Sequence, residues 1–306
     1  MNRIVIDTDP GIDDAHAILL ACAHPAAKVQ ALTTIAGNVS LERATLNALI
    51  ILDVIGQDVP VFAGCDDALV RPTPRRASSH GTDGLGDSGY APSTRQASSE
   101  HAVQALIRMA NESPGELTLV AIGPLTNIAL ATRLDPALPQ RYKRLVVMGG
   151  AIYAQGNSWE RAAEFNFYCD PEAAAIVFDR WPAVTLVPWE TALAHSLQPP
   201  QFEALARGTS PCAELFRRTI RQHFVELAPG QQALAESDPL ALAVALEPAI
   251  VQRAETRYVE IELAGQLTRG QTVVDWYDLT GRPHNANLVR EIDRERFWEL
   301  MQLSLR

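Results

Sequence analysis

Lysine is nearly absent from this chain of 306 residues, which has only Lys28 and Lys143 beside 24 arginines. The net charge is −10 and the isoelectric point is about 5.2. The chain therefore has no excess of positive charge to bind a phosphate backbone or an anionic bilayer. We expect neither nucleic acid nor a membrane among its partners.

Long hydrophobic runs and paired cysteines are also missing. No segment reaches the roughly 18 apolar residues that span a bilayer, and the apolar run before Asp7 is too short for a secretory signal. The cysteines contain no CxxC pair, which argues against a zinc site or a disulfide framework; they are Cys22, Cys65, Cys169 and Cys212. A hydrophobic fraction of 47% predicts an ordinary globular core. We expect a cytoplasmic protein.

Short apolar segments alternate with helix-length segments over most of the chain. The apolar segments are continuous, as in parallel strands covered on both faces; they are residues 3–7, 29–36, 60–63, 117–122, 144–148 and 183–187. The helical patterns between them cover residues 13–23, 41–55, 100–111, 125–133 and 171–180. This order predicts an α/β fold with an open, mostly parallel, doubly wound (Rossmann-like) sheet flanked by helices.

The last third of the chain has a different pattern. It predicts extra helices at residues 199–227 and 238–246, a late strand pair at 257–263 and 272–276, and a closing helix at 293–303. Residues 64–97 are rich in Pro, Ser, Gly and Arg, and a loop this long is usually a lid or a binding loop, or else disordered. Neither a repeat nor a linker divides the sequence, so we predict a single domain spanning residues 1–306.

Four carboxylates stand within eight residues at the end of the first predicted strand: Asp7, Asp9, Asp13 and Asp14. Each alone is a common helix N-cap or surface charge. Together they repel one another strongly where the dielectric constant is low. A fold that concentrates them at the end of a buried strand needs a counterion, and a hard divalent cation with oxygen ligands is the simplest one.

Other polar or glycine-containing segments follow the later strands. In open α/β sheets, ligands bind at the carboxyl ends of the strands. The segments that follow these strands are therefore candidates for the same crevice; they are residues 37–38 (GN), 123–127 (GPLTN) and 149–150 (GG).

Residues 7–15 (DTDPGIDDA) resemble the N-terminal motif of the inosine–uridine preferring nucleoside hydrolases. Further segments match that family in order, namely AGNV at 36–39, GPLTN at 123–127, VMGG at 147–150, AEFN at 163–166, DPEAA at 170–174 and DPLA at 238–241. The resemblance covers nearly the whole chain. It implies a calcium-dependent enzyme of nucleoside salvage that hydrolyses the N-glycosidic bond of ribonucleosides to free base and ribose.

The family pattern implies a calcium ion on Asp9, Asp14 and Asp238, with the backbone carbonyl of Ile122 as a further ligand. All-oxygen ligation suits Ca²⁺. Asp13 is then the general base that activates a calcium-bound water. The acidic pocket would also stabilise an oxocarbenium-like transition state. Taken without the resemblance, Asp238 is also a candidate N-cap of a helix that begins at the next residue, a proline.

The resemblance also assigns residues to the substrate. Asn38, Glu164 and Asn166 would bind the ribose hydroxyls. Asn157 is a weaker candidate, because the interval between it and Glu164 is one residue longer than in the family pattern. Met148 would pack beside the sugar, although a plain core role at a strand end explains it equally well.

The leaving base is where this chain departs from the family. Many members have a histidine directly before the last calcium aspartate, whereas this chain has Ser237. Serine is too weak an acid to protonate a base near neutral pH. His80 matches the other histidine that the family brings to the base, although a simple loop hydrogen bond would also explain it; a histidine titrates in the right range. His223 lies where relatives supply base-contacting side chains, but a solvated helix position explains it more readily. We therefore leave the substrate as a pyrimidine or inosine-like nucleoside.

Two other functions were weighed. Residues 6–9 (IDTD) resemble the opening of a haloacid dehalogenase-type phosphatase, but Gly11 stands where that scheme needs Thr or Val, and neither lysine has a suitable context. The second alternative is a catalytically impaired family member that binds nucleosides or ribose without turnover, for which Ser237 is the only support. The resemblance further implies a homodimer or homotetramer whose ligand is a small-molecule nucleoside.

Overall fold

The structure, a computed structural model, describes residues 1–72, 79–159, 161–226 and 233–306, without the side chains of residues 222–226. In this part of the chain, eight strands form the main sheet: β1 (Asn2–Thr8), β2 (Ala27–Thr34), β3 (Val61–Ala63), β4 (Leu117–Ala121), β5 (Arg144–Met148), β6 (Val184–Val187), β7 (Val251–Arg257) and β10 (Ala286–Ile292). A separate antiparallel pair consists of β8 (Val259–Ile261) and β9 (Thr272–Val274).

Helices cover both faces of the main sheet. They are α1 (Ile12–Ala23), α2 (Leu41–Ile55), α3 (Ala102–Glu112), α4 (Thr126–Leu134), α5 (Leu138–Arg141), α6 (Phe165–Cys169), α7 (Pro171–Arg180), α8 (Trp189–Ala194), α9 (Pro199–Ala206), α10 (Pro211–Glu226), α11 (Ser237–Leu246) and α12 (Arg294–Ser304), with a 3-10 turn at Pro248–Ile250. In the described residues, no helix combines the length and the apolar character that a bilayer span requires.

The two faces of the sheet bury alternate residues of the same strand. Ile4 and Ile6 of β1 belong to the core on the side of α1, α2 and α11, whereas Val5 belongs to the core on the side of α3, α4 and α7. All three side chains are fully buried. A strand that is covered on both faces needs apolar residues at every position, which explains the continuous apolar runs in the sequence.

The strand order is β3-β2-β1-β4-β5-β6-β10-β7, and every pair is parallel except β10 with β7. The chain winds outward from β1 through β2 to β3 and then returns to place β4 on the other side of β1. The carboxyl ends of β1 and β4 therefore form the topological switch point, where open α/β sheets bind their ligands.

The predicted parallel sheet and late strand pair are confirmed, but one predicted helix was wrong and two strands of the main sheet were not predicted. Residues 199–227 are not one helix, since α9 ends at Ala206 and α10 begins at Pro211. Ser210 caps the second helix, its Oγ accepting a hydrogen bond from the Ala213 N–H at 3.0 Å, and proline suits the first helical position. The main sheet also includes β7 and β10, which were not predicted. β7 has no apolar run because it is a largely exposed edge strand rich in polar residues.

Candidate active site

The acidic run occupies the carboxyl end of β1 and the first turn of α1. Asp7 lies within β1, Asp9 in the turn that follows, and Asp13 and Asp14 in the first helical turn. All but Asp13 are fully buried, and Asp13 is partly exposed. The positive end of the helix dipole favours carboxylates in the first turn. The local fold thus gathers the acids at the switch point of the sheet.

Two glycines make room for the Asp9 carboxylate. A Cβ at Gly37 would lie 2.1 Å from Asp9 Oδ2, and one at Gly123 would lie 2.6 Å from Asp9 Oδ1. The Asn38 N–H donates a 2.6 Å hydrogen bond to Oδ2, whereas Oδ1 is buried and has no hydrogen-bond partner among the described residues. A buried carboxylate oxygen without a donor is costly unless a ligand satisfies it.

Asp13, Asp14 and Asp238 converge from two helix N-termini, although Asp238 is 224 residues from Asp14. Each offers a carboxylate oxygen, and these three oxygens lie within 4.8 Å of one another. Asp238 is in the first turn of α11 and is only 3% exposed. Since that helix begins at Ser237 and its N-cap is Glu236, Asp238 is not the N-cap.

Hydrogen bonds fix the Asp14 carboxylate. Its Oδ1 accepts a 2.5 Å bond from the Thr8 hydroxyl. Its Oδ2 accepts bonds from the Gly11 N–H at 2.9 Å and from Asn38 Nδ2 at 3.2 Å. Asn38 therefore contacts both Asp9 and Asp14 and joins the two carboxylates.

Burial and mutual repulsion raise the pKa values of these acids. Burial, together with the charge of Asp13, raises the pKa of Asp14 to about 7. Burial and the charge of Asp14 hold the pKa of Asp9 well above its usual range. The pKa of Asp238 is also well above normal, first through burial and then through Asp13 and Asp14. A cation bound among them would reverse these shifts, because it favours the charged form of every neighbouring carboxylate.

The donor set fits a hard divalent cation. Carboxylate oxygens converge, Asp9 Oδ1 is buried without a partner, and two glycines leave space around the Asp9 carboxylate. Oxygen-only ligands of this kind suit Ca²⁺ or Mg²⁺ rather than zinc. Among the described residues, the converging set contains Asp13, which was predicted as the base, and does not include the predicted ligand Asp9.

A second group of predicted residues lies at the N-terminus of α6 and at the ends of β4 and β5. Glu164 caps α6, and its carboxylate accepts hydrogen bonds from the backbone N–H groups of Gly150, Asn166 and Phe167. Burial raises the pKa of Glu164 to about 7, and the charge of Asp13 contributes to this rise. The carboxylates of Glu164 and Asp13 are thus close enough to interact electrostatically.

Asn166 links the ends of β4 and β5. Its Nδ2 donates hydrogen bonds to the carbonyl of Ile122 at 3.1 Å and to that of Met148 at 3.4 Å, and it lies 3.5 Å from the Met148 sulfur. Met148 is 2% exposed. A carbonyl oxygen has two lone pairs, so the Ile122 oxygen can accept this bond and still coordinate a cation.

The remaining predicted site residues are Asn157, His80 and His223, and the structure gives side-chain contacts for the first two. Asn157 Oδ1 accepts a 2.7 Å bond from the Phe165 N–H, which anchors the loop before α6. His80 Nδ1 accepts a 3.1 Å bond from the Ile12 N–H, so the 64–101 loop carries this histidine to the aspartate turn. His223 lies near the end of α10, but its side chain is outside the described residues.

For several residues that the sequence singled out, the contacts were not predicted. Asp7 Oδ1 accepts hydrogen bonds from Thr33 Oγ1 and from Asn127 Nδ2, and burial raises the pKa of Asp7 to about 7. Asn127 belongs to the GPLTN segment, whose motif was the only available signal. The Ser237 hydroxyl donates a 2.6 Å bond to Asp13 Oδ2. Sequence could show that Ser237 replaces a histidine, but not which side chain it contacts.

Comparison with known proteins agrees with this geometry. A sequence model of the inosine-uridine preferring nucleoside hydrolases matches residues 4–299. The inosine-uridine preferring nucleoside hydrolase of Leishmania major is 39% identical over 307 residues, which cover 98% of this chain and 96% of the relative. The pyrimidine-specific ribonucleoside hydrolase RihB of Escherichia coli (strain K12) is 33% identical over 308 residues, covering 99% and 97%. A solved inosine-guanosine nucleoside hydrolase superposes with a TM-score of 0.93 at 32% identity, covering 99% and 98%.

Proposed function

This chain belongs to the family of inosine-uridine preferring nucleoside hydrolases, enzymes that cleave the N-glycosyl bond of ribonucleosides, and from that premise we propose how its own residues carry out the reaction with a calcium ion. Asp9, Asp14 and Asp238 would hold the ion together with the Ile122 carbonyl. When bound, the ion would lower the pKa of a water molecule and orient the ribose hydroxyls. The orphaned Asp9 Oδ1 and the raised pKa values of the three acids support this assignment.

Asp13 is the general base of the proposed reaction. It lies with Asp14 and Asp238 in the converging carboxylate set and is more exposed than either. A water oxygen bonds to C1′ of the ribose as the bond from C1′ to the base nitrogen breaks. One water proton goes to Asp13, and the electron pair of the broken bond leaves with the base. The positive charge that develops on the sugar is stabilised by the surrounding carboxylates.

The ribose would occupy the space between the aspartates and α6. Asn38, Glu164 and Asn166 would border that space, and their amide and carboxylate groups match the donors and acceptors of sugar hydroxyls. Met148 would pack against the sugar beside Asn166. Asn157 acts through the loop before α6, whose end it anchors.

The leaving base would face His80, with His223 as a further contact. Because His80 Nδ1 accepts the Ile12 N–H, the neutral ring carries its proton on Nε2, from which it would donate a hydrogen bond to a ring nitrogen or carbonyl of the base. We assign the substrate as a pyrimidine or inosine-like ribonucleoside. The relatives' names include both pyrimidine and purine substrates.

The observation that carries the proposal is the convergence of Asp13, Asp14 and Asp238 within 4.8 Å. The test is ribose release from a panel of uridine, cytidine, inosine, guanosine and adenosine, with and without a calcium chelator. We expect activity that chelation abolishes and calcium restores, and an Asp13→Ala variant that is inactive but folded. Turnover that persists after chelation would refute the metal assignment. Saturable binding without ribose release from any nucleoside would refute turnover itself.

The assembly and compartment are proposed on narrower grounds. We assign a homodimer or homotetramer, supported by large apolar side chains that stay exposed in the single chain, with Leu267 at 77%, Tyr277 at 83% and Leu279 at 83%. The four cysteines are free thiols, which fits a reducing compartment such as the cytoplasm. Light scattering of the purified protein would give the number of subunits.

A further inference from the structure

Ser237 and Asp13 are joined by a short hydrogen bond between two helix N-termini. The Ser237 Oγ lies 2.6 Å from Asp13 Oδ2 and is the donor, because an ionised carboxylate can only accept. Ser237 is only 4% exposed. This hydroxyl is therefore committed to Asp13 rather than to the position of a leaving base.

A second contact, next to the first, fixes the Ser237 backbone. Glu236 is 2% exposed, and its two carboxylate oxygens lie 3.0 and 2.9 Å from His16 Nδ1. His16 Nε2 in turn lies 2.9 Å from Thr219 Oγ1 on α10. Since residues three apart on a helix lie on the same side, Asp13 and His16 of α1 face the first residue of α11 and its N-cap, respectively.

The two contacts act together as a brace between α1 and α11. They hold two adjacent residues at the start of α11 against α1, and the packing of this helix, whose ten residues are all buried, fixes the rest of it. The Ser237 hydroxyl thus has a defined position relative to Asp13. Its hydrogen bond determines how the Asp13 carboxylate is turned about its side-chain torsion.

We infer that Ser237 is a positioning residue that orients Asp13 for proton transfer from water; this inference rests on the proposed role of Asp13 as the base. The hydroxyl holds Oδ2, so Oδ1 is the oxygen that takes the water proton. Ser237 therefore acts in the activation of water and not in the protonation of the leaving group. Preorganised groups of this kind raise the rate by holding the base in its reactive geometry.

The test compares Ser237→Ala with Ser237→Thr, which keeps a hydroxyl. Ser304→Ala is the matched control, because Ser304 is a buried helical serine whose hydroxyl bonds the Met301 carbonyl at 2.7 Å, outside the site. We expect Ser237→Ala to lower kcat about 10- to 100-fold, the range for losing a hydrogen bond to a charged group. KM should stay within about threefold, and Ser237→Thr should recover most of kcat. An unchanged kcat in Ser237→Ala would overturn the inference.

A nitrophenyl riboside separates water activation from leaving-group protonation, because nitrophenolate leaves without being protonated. If Ser237 acts through Asp13, Ser237→Ala slows the riboside and the natural nucleoside by similar factors. If the riboside is unaffected while the nucleoside is slowed, Ser237 acts on the base and the inference is wrong. Wild-type protein that hydrolyses no nucleoside would instead refute the proposed function, independently of Ser237.

Crystal structures provide a readout other than activity. In Ser237→Ala, the Asp13 carboxylate should rotate or split into alternate conformers while the His16–Glu236 contact stays in place. In Ser304→Ala, Asp13 should keep its orientation. An Asp13 carboxylate unchanged in Ser237→Ala would show that the hydroxyl does not orient it. This comparison remains informative even if Ser237→Thr fails to fold.

Discussion

In the presence of a calcium chelator, the Asp14→Asn variant should be more stable than the wild type at alkaline pH. The variant should also no longer be stabilised by calcium. Asp14 is fully buried, and its pKa is raised to about 7 from an ordinary value of 3.8, first by burial and then by Asp13. A carboxyl group whose pKa is higher in the folded state contributes stability below its unfolded pKa, and this is lost as the pH rises through the folded pKa. For Asp14 that loss falls between about pH 4 and pH 7.

The size of the effect follows from the shift. A difference of about three pKa units corresponds to about 4 kcal/mol, at 1.36 kcal/mol per unit. An asparagine does not titrate, so the stability of Asp14→Asn relative to wild type should rise by up to that amount between about pH 4 and pH 8. Calcium, by contrast, should stabilise the wild type and not the Asp14→Asn variant. At about 1,000 times its dissociation constant it stabilises the wild type by about 4 kcal/mol, or on the order of 10 °C in Tm.

Thermal unfolding at about pH 5 and pH 8, with chelator and with calcium, measures both effects. The matched control is Asp170→Asn, a buried carboxylate outside the cluster that accepts bonds from Thr126 Oγ1 at 2.6 Å and from the Leu69 and Ala173 N–H groups. The control should keep the full calcium response, because Asp170 is not a member of the converging carboxylate set. A calcium response in Asp14→Asn equal to that of wild type would refute the assignment of Asp14 as a ligand.

Two further substitutions test the surroundings of the cluster. Gly123→Ala would place a Cβ 2.6 Å from Asp9 Oδ1 and 3.0 Å from Ile35 Cγ2. Calorimetry should show that the affinity for calcium falls about 10- to 100-fold, as for other residues that support metal ligands. An unchanged affinity would exclude Asp9 from the site. Asn47→Ala removes an amide that donates to the Pro10 carbonyl at 3.0 Å and to the Asp83 carbonyl at 2.8 Å. It should lower the free energy of unfolding by about 1–3 kcal/mol in urea, and no loss would show that this link between the aspartate turn and the His80 loop is unimportant.

The main sheet was predictable because its strands are covered on both faces. The apolar runs of β1, β4 and β5 are nearly continuous, and the structure places them side by side as parallel neighbours. The C-terminal edge gave a weaker signal. β7 exposes most of its side chains, so its sequence has no apolar run, and its pairing with β10 is fixed by tertiary contacts across the chain.

The site was predictable as a set of residues but not as a set of contacts. The DTDPGIDDA run and Asp238 could be identified as partners only through the family resemblance, since no local pattern connects residues this far apart. The contacts of His16 with Glu236 and Thr219 correspond to no motif in the sequence. Which oxygen of Asp13 meets Ser237 depends on how α1 packs against α11, a tertiary property that the sequence does not display.

Parallel titration of calcium binding and of ribose release in stripped protein tests whether the acidic cluster works as a metal-dependent hydrolytic site. The geometry predicts a single tight calcium site per chain, with the rate of ribose release rising in proportion to its occupancy. Asp14→Asn should lose both signals together. Full activity in protein with no bound calcium, or a filled site without ribose release, would contradict the proposed role of these carboxylates.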